Sequence, residues 1–112
     1  MNPIFVFGSN LAGRHGRGAA LYARQHHGAV YGVGEGISGN SYGIPTKDFK
    51  IQSRSLKEVT ASIYRFIAFA IEHPELTFEV TKVGCGLAGF TETQIAPLFK
   101  DAPTNCNLPE GW

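Results

Sequence analysis

Cysteine is scarce in this chain: Cys85 and Cys106 are the only two. Two thiols cannot build a disulfide framework, so a reduced, cytosolic setting is the expectation. No apolar run approaches the roughly 18 residues of a membrane span, and the N-terminus lacks the pattern of a secretory leader. A soluble cytoplasmic protein with no membrane partner is expected. Charge is also thin. Charged residues make up 17% of the chain, against about 25% in ordinary domains. The formal net charge is +1, so bulk electrostatics point to neither nucleic acid nor membrane. Neither CxxC nor HxxxH occurs, so no metal site and no cofactor is expected.

Glycine is what the chain has in excess. There are 14 in 112 residues, close to twice the usual share of about 7%. They gather in three stretches, 8–18, 28–43 and 84–89, which makes them positional rather than low-complexity. The length suits one domain.

The first glycine stretch organises the reading. Ile4–Phe7 is a short apolar run with strand character, and FGSNLAGRHGRG follows it. From Arg17 the small residues of GAALYARQHH predict a helix over 17–27, closed by Gly28. A strand, a glycine loop and a helix start together form an anion site, because backbone N–H groups and the helix dipole converge there. Arg14, His15 and Arg17 add donors suited to phosphate. Ala29–Val33 reads as a weak second strand, and Ser41–Ile44 as a short one that Pro45 ends.

The second helix has the clearest signature. Ser55 and Glu58 form a capping box, and Leu56, Val59, Ile63, Phe66, Ile67, Ala70 and Ile71 keep the 3.6-residue period. Pro74 lies just past its end. Leu76–Val83 reads as a strand, and Gly84–Phe90 (GCGLAGF) as a second glycine loop. Thr91 and Gln94 repeat the capping box ahead of a short helix that Pro97 ends or kinks. Asn105–Leu108 reads as a last edge strand, with Gly111 and Trp112 as a tail. Strands alternating with helices predict an α/β sheet with helices on both faces.

Loops that follow parallel strands lie at the carboxyl edge of the sheet, where open α/β folds bind ligands. Gly13–Gly18 and Gly84–Gly89 should therefore face one crevice about a diphosphate apart. The known nucleotide fingerprints do not fit. Gly8 and Gly13 have the spacing of a P-loop's two glycines, but Arg14-His15 stands where Lys-Ser/Thr is needed. GxGxxG fails as well, with Leu21 at the third glycine's place. Kinase-like and hydride-transfer roles are poorly supported. A nucleophilic Cys85 would need a base to form thiolate, and small size against a ligand explains it better. His26 and His27 read as helix-end residues, and Tyr42 and Phe90 as core, while Trp112 is a candidate for stacking on a base.

Three blocks carry a family resemblance: Asn10 with the turn Gly13–Ala20, Pro45-Thr46-Lys47, and Gly84-Cys85-Gly86-Leu87-Ala88-Gly89. In order and spacing they resemble the macrodomains, a three-layer α/β/α sandwich with a central mixed sheet that binds ADP-ribose. The resemblance extends to the branch of DNA-ADP-ribosyl glycohydrolase antitoxins and terminal ADP-ribose hydrolases. It extends further to short phage-encoded macrodomain-like proteins of unknown function. It implies that Asn10 contacts the distal ribose and that the amides of Gly16, Gly18 and Ala19 hold one phosphate. The Cys85–Gly89 backbone would hold the other, with Gly13, Arg14, Gly84 and Phe90 completing the loops.

Lys47 matches the lysine that some of these hydrolases use at the anomeric carbon, and Asp48 or His15 would be its acid–base partner. The implied ligand is ADP-ribose or a related nucleotide-sugar diphosphate, free or carried on an ADP-ribosylated macromolecule. Two departures weaken catalysis. Ala88 stands where the ester-cleaving hydrolases have an acid, and Thr91 where antitoxin-like members have Asp. No acid precedes Gly8 to recognise adenine. The expectation is therefore a binder first and an ADP-ribosyl hydrolase second. A protein that kept the fold for interaction and lost the ligand is the third reading.

Overall fold

The computed structural model describes residues 2–112. Its centre is β1 (Ile4–Asn10), whose alternation decides the layers. Ile4 and Val6 face one side and join the larger core, while Phe5 and Phe7 face the other. Because successive side chains of a strand point to opposite faces, one apolar strand seeds two cores.

Helix α1 (Gly18–His26) covers the Phe7 side. Its contribution is modest: Ala20 and Ala23 pack there with Ala29. Helix α2 (Leu56–Glu72) covers the opposite side through Val59, Ile63, Phe66, Ile67 and Ala70. Its capping box is formed as expected, with Ser55 Oγ accepting from the Glu58 amide and the Glu58 carboxylate accepting from the Ser55 amide. The Thr91–Gln94 box is formed too and starts α3 (Glu92–Ile95). Pro97 then sits in a single 3-10 turn, Ala96–Phe99, which delivers Phe99 to the α2 side of the core.

The sheet has five strands in the order β2-β3-β1-β4-β5. β1 runs parallel to both β3 (Ser41–Lys47) and β4 (Phe78–Val80), and β5 (Cys106–Asn107) runs parallel to β4. β2 (Gly36–Ser38) is antiparallel to β3, making the sheet mixed. The chain is an α/β protein with helices on both faces of a mixed sheet, as expected.

Four local expectations are corrected. Residues 29–33 are not a strand: Ala29 N–H turns back to the Ala23 carbonyl, and Val33 N–H closes a turn on Val30. The edge strand forms later, at Gly36–Ser38, because Gly39 at φ 58° makes the two-residue turn into β3. Pro45 does not end β3. Pairing with β2 stops at Gly43, so only β1 lies alongside Pro45 and no ladder bond needs its missing N–H. The strand after α2 is shorter than 76–83, although Thr77 and Thr81 still bond to β1. Trp112 is no free tail: it packs on Phe99 and its Nε1 donates to Glu92.

Gly13 marks the closest approach behind the first loop. Its φ is 69°, and a Cβ there would lie 2.2 Å from the Gly32 carbonyl carbon. Gly13→Ala should therefore cost roughly 2–4 kcal/mol, from the left-handed backbone and the overlap together. Urea unfolding would read this as a lower midpoint at unchanged slope. A midpoint equal to wild type would contradict the packing described.

Candidate functional site

β1 lies between β3 and β4 and runs parallel to both. All three strands therefore release their chains at one edge of the sheet. A crevice of about 640 Å³ occupies that edge. One wall is the start of α1, with Arg14, Gly16, Arg17, Gly18 and Ala19. The other is the second glycine loop, from Gly84 to Ala88, joined by Lys47 and Ile51 from the segment after β3. The two glycine stretches do share a crevice.

Asn10 reaches the crevice but is already employed. Its Nδ2 donates to the Arg14 carbonyl at 2.8 Å and its Oδ1 accepts from the Arg14 amide at 2.9 Å. This pair closes the 10–14 turn and fixes where Arg14 emerges. One amide hydrogen and one oxygen lone pair remain for a ligand. Lys47 sits beside Asn10 on the neighbouring strand, where the register shifts by one residue. Ser9 Oγ holds the Gly34 carbonyl from the same strand end.

Among the described residues, Arg14, Arg17 and Lys47 have no ion-pair partner. Lys82 pairs with Glu92 at 3.2 Å. Glu92, an acid of the lining, also accepts from Trp112 at 2.9 Å. These contacts hold its carboxyl below the usual range, the Trp112 bond first and the Lys82 bond second. The crevice therefore presents three uncommitted cations and one neutralised acid. The start of α1 adds positive partial charge without side chains. The second loop folds on itself: Cys85 N–H donates to the Lys82 carbonyl, Phe90 N–H to that of Gly84 and Gly89 N–H to that of Gly86, which leaves the Gly86, Leu87 and Ala88 amides without a backbone partner among the described residues.

Gly16 and Gly86 are open to the crevice. A Cβ on either would meet nothing within 4 Å. These positions leave backbone accessible to a ligand rather than serving the packing.

Several expected site residues lie elsewhere. Gly13, Gly89 and Phe90 do not line the crevice; Gly13 is packed on Gly32, and Phe90 lies against the α2 core. Asp48 is also outside the lining, and its Oδ1 accepts from the amides of Lys50 and Gln52 at 2.8 and 3.0 Å. It is a turn-forming carboxylate. Tyr42 is core, edge-on to Phe66, and the Trp112 ring is occupied by Phe99. Cys85 lines the crevice, yet burial, with Glu92 as the next cause, raises its thiol pKa. Its Sγ donates to the Val83 carbonyl at 3.6 Å. Thiolate chemistry is disfavoured there.

His15 departs furthest from expectation. It is fully buried, edge-on to Phe7 and outside the crevice lining. Neither ring nitrogen has a partner of hydrogen-bond geometry. It supports the loop from behind and cannot serve as an acid–base group in the crevice.

Sequence reasoning gave no role to Thr81, Lys82 and Ile51, all of which line the crevice, as does Thr46 of the Pro45–Lys47 block. Thr81 was hidden inside an overlong strand, and its hydroxyl donates to the Val6 carbonyl at 2.8 Å. Among the described residues no three His, Cys, Asp or Glu side chains converge to hold a metal. No helix among them is long and apolar enough to cross a membrane. A second, smaller cavity of about 310 Å³ lies beside Phe5, His27 and Asn40. Comparison with known proteins finds no matching family model, curated protein or solved structure.

The His15 environment has a pH signature. Burial is the larger cause and the Arg24 charge adds to it; together, against the Val33 backbone, they lower its pKa from 6.5. The unfolded chain therefore takes up the proton first. The stability that His15 contributes is present above about pH 6.5 and is lost as the pH falls toward the folded pKa. Between about pH 7.5 and pH 5 the melting temperature of wild type should fall more steeply than that of His15→Leu. Parallel curves would contradict a buried neutral imidazole.

Proposed function

We propose that this protein binds ADP-ribose or a related nucleotide-sugar diphosphate in the crevice between its two glycine loops. The observation that carries this reading is the juxtaposition of the α1 start and the second glycine loop at one sheet edge. They face each other with Arg14, Arg17 and Lys47 uncommitted. A helix start favours phosphate through its free N–H groups and its dipole. A second set of backbone groups opposite it suits a second phosphate. The volume, about 640 Å³, suits a ligand larger than diphosphate alone. The resemblance of the Asn10, Pro45–Lys47 and Gly84–Gly89 blocks to macrodomains points to the same chemistry.

Binding ranks above hydrolysis. Lys47 is well situated beside Asn10, and an unpaired amine there could act on an anomeric carbon. Neither expected proton-transfer partner joins it. Asp48 is spent on its own turn, His15 is buried elsewhere, and Ala88 supplies no acid. As a binder, Lys47 would act as a phosphate-directed charge, and its removal would lower affinity.

Calorimetry with ADP-ribose tests the reading. Wild type should bind with a dissociation constant on the order of micromolar. Gly86→Val should keep its melting temperature, since the new side chain meets no protein atom within 4 Å at Cβ. It should lose at least about tenfold in affinity, because it blocks close backbone approach. Equal affinity in a well-folded variant would contradict the proposal. The hydrolase reading is tested beside it on ADP-ribosylated DNA and glutamate-linked ADP-ribosyl protein. Release by wild type but not by Lys47→Ala would replace the binding-only account.

A further inference from the structure

Ile51 is the one non-glycine residue with positive φ, 62°, among the described residues. A β-branched side chain is among the least suited to that conformation. The chain places glycine at nine other positive-φ positions, so the cheaper residue is used freely elsewhere. What Ile51 supplies must be its side chain. That side chain belongs to neither hydrophobic core. It is partly buried and lines the crevice instead.

The surrounding turn is built to hold it. Asp48 Oδ1 accepts from the amides of Lys50 and Gln52, the Asp48 amide donates to the Gln52 carbonyl at 2.8 Å, and Ile51 N–H donates to the Asp48 carbonyl at 3.1 Å. Lys47 and Ser53 then pair as a bridge. Ser53 Oγ donates to the Ala88 carbonyl at 2.6 Å, which latches the turn to the second glycine loop across the end of β1. Arg54 ties its base to the Pro45 carbonyl and to Ser62 of α2. Strain at one residue, held by so many contacts and relieved by no core packing, belongs to sites where a side chain has to be presented.

We infer that Ile51 is a specificity-determining residue: an apolar wall, in a crevice it shares with Leu87 and Ala88, for the nonpolar face of a sugar or base ring attached to the bound diphosphate. This rests on the proposed diphosphate site and adds to it. The amides and cations recognise charge, and Ile51 selects anions that carry a ring. Asp48, expected to assist catalysis, instead acts as a positioning residue that keeps the Ile51 backbone in its left-handed state.

The test compares wild type, Ile51→Gly and Ile51→Asn by calorimetry with ADP-ribose and by thermal melting. Gly and Asn both accept a left-handed backbone, so both variants should melt at or above wild type. Both should bind ADP-ribose at least about tenfold more weakly, the loss expected when an apolar contact with the ligand is removed. Wild-type affinity in either variant would overturn this proposal while leaving the diphosphate site intact. Weaker binding accompanied by a lower melting temperature would also overturn it, since Ile51 would then serve the fold. Wild type that binds no ADP-ribose would overturn the parent reading, and this proposal with it.

Discussion

The parallel pairing of β1 with both β3 and β4 is the constraint on which the rest depends. Phe5 through Asn10 register with Ser41 through Lys47 on one side, and Ile4 through Val6 with Phe78 through Val80 on the other. Three strands running the same way must all let go of the sheet at one edge. The first glycine loop, the Lys47 segment and the second glycine loop are therefore neighbours by topology, before any side chain is chosen. Close backbone contact maintains the arrangement. A Cβ on Gly43 would meet the Gly34 carbonyl at 2.8 Å, and one on Gly8 the Gly84 amide nitrogen at 3.3 Å.

The site that results is flanked by two glycine stretches, with charge added sparingly. A chain of net charge +1 has little overall field for an anion, so in the proposed reading the attraction is local. Arg14 is aimed by the reciprocal Asn10 bonds, Arg17 occupies the N-cap position of α1 without a side-chain cap bond, and Lys47 ends β3. Glu92 would oppose an anion, but Lys82 and Trp112 occupy its carboxylate. Trp112 thus affects the crevice through Glu92 rather than by touching a base.

What could be read in the sequence was local in its physics. Both capping boxes depend on residues three apart, and both formed. The alternation of Ile4–Phe7 and the period of α2 report burial directly. The loop glycines could be assigned to a sheet edge because strand–loop–helix order implies parallel pairing. The misses depended on distant partners. Pro45 is harmless only because β2 stops at Gly43. His15 looked like a loop donor because nothing nearby in sequence shows that Phe7 and Tyr31 enclose it. Asp48 looked like a catalytic acid beside Lys47, but a turn that closes on Gln52 consumes it. Ile51 carried no signal at all, since an isoleucine in a loop suggests neither a left-handed backbone nor a crevice.

The proposal that the α1 start and the second glycine loop bind diphosphate together is tested most directly by backbone resonances. In a ¹⁵N-labelled sample titrated with ADP-ribose, the largest amide shifts should fall on Gly16, Gly18 and Ala19 and, at the same ligand concentrations, on Cys85, Gly86 and Leu87. Shifts confined to one wall, or centred on the Phe5–His27 cavity at the opposite edge of the sheet, would contradict a shared diphosphate site.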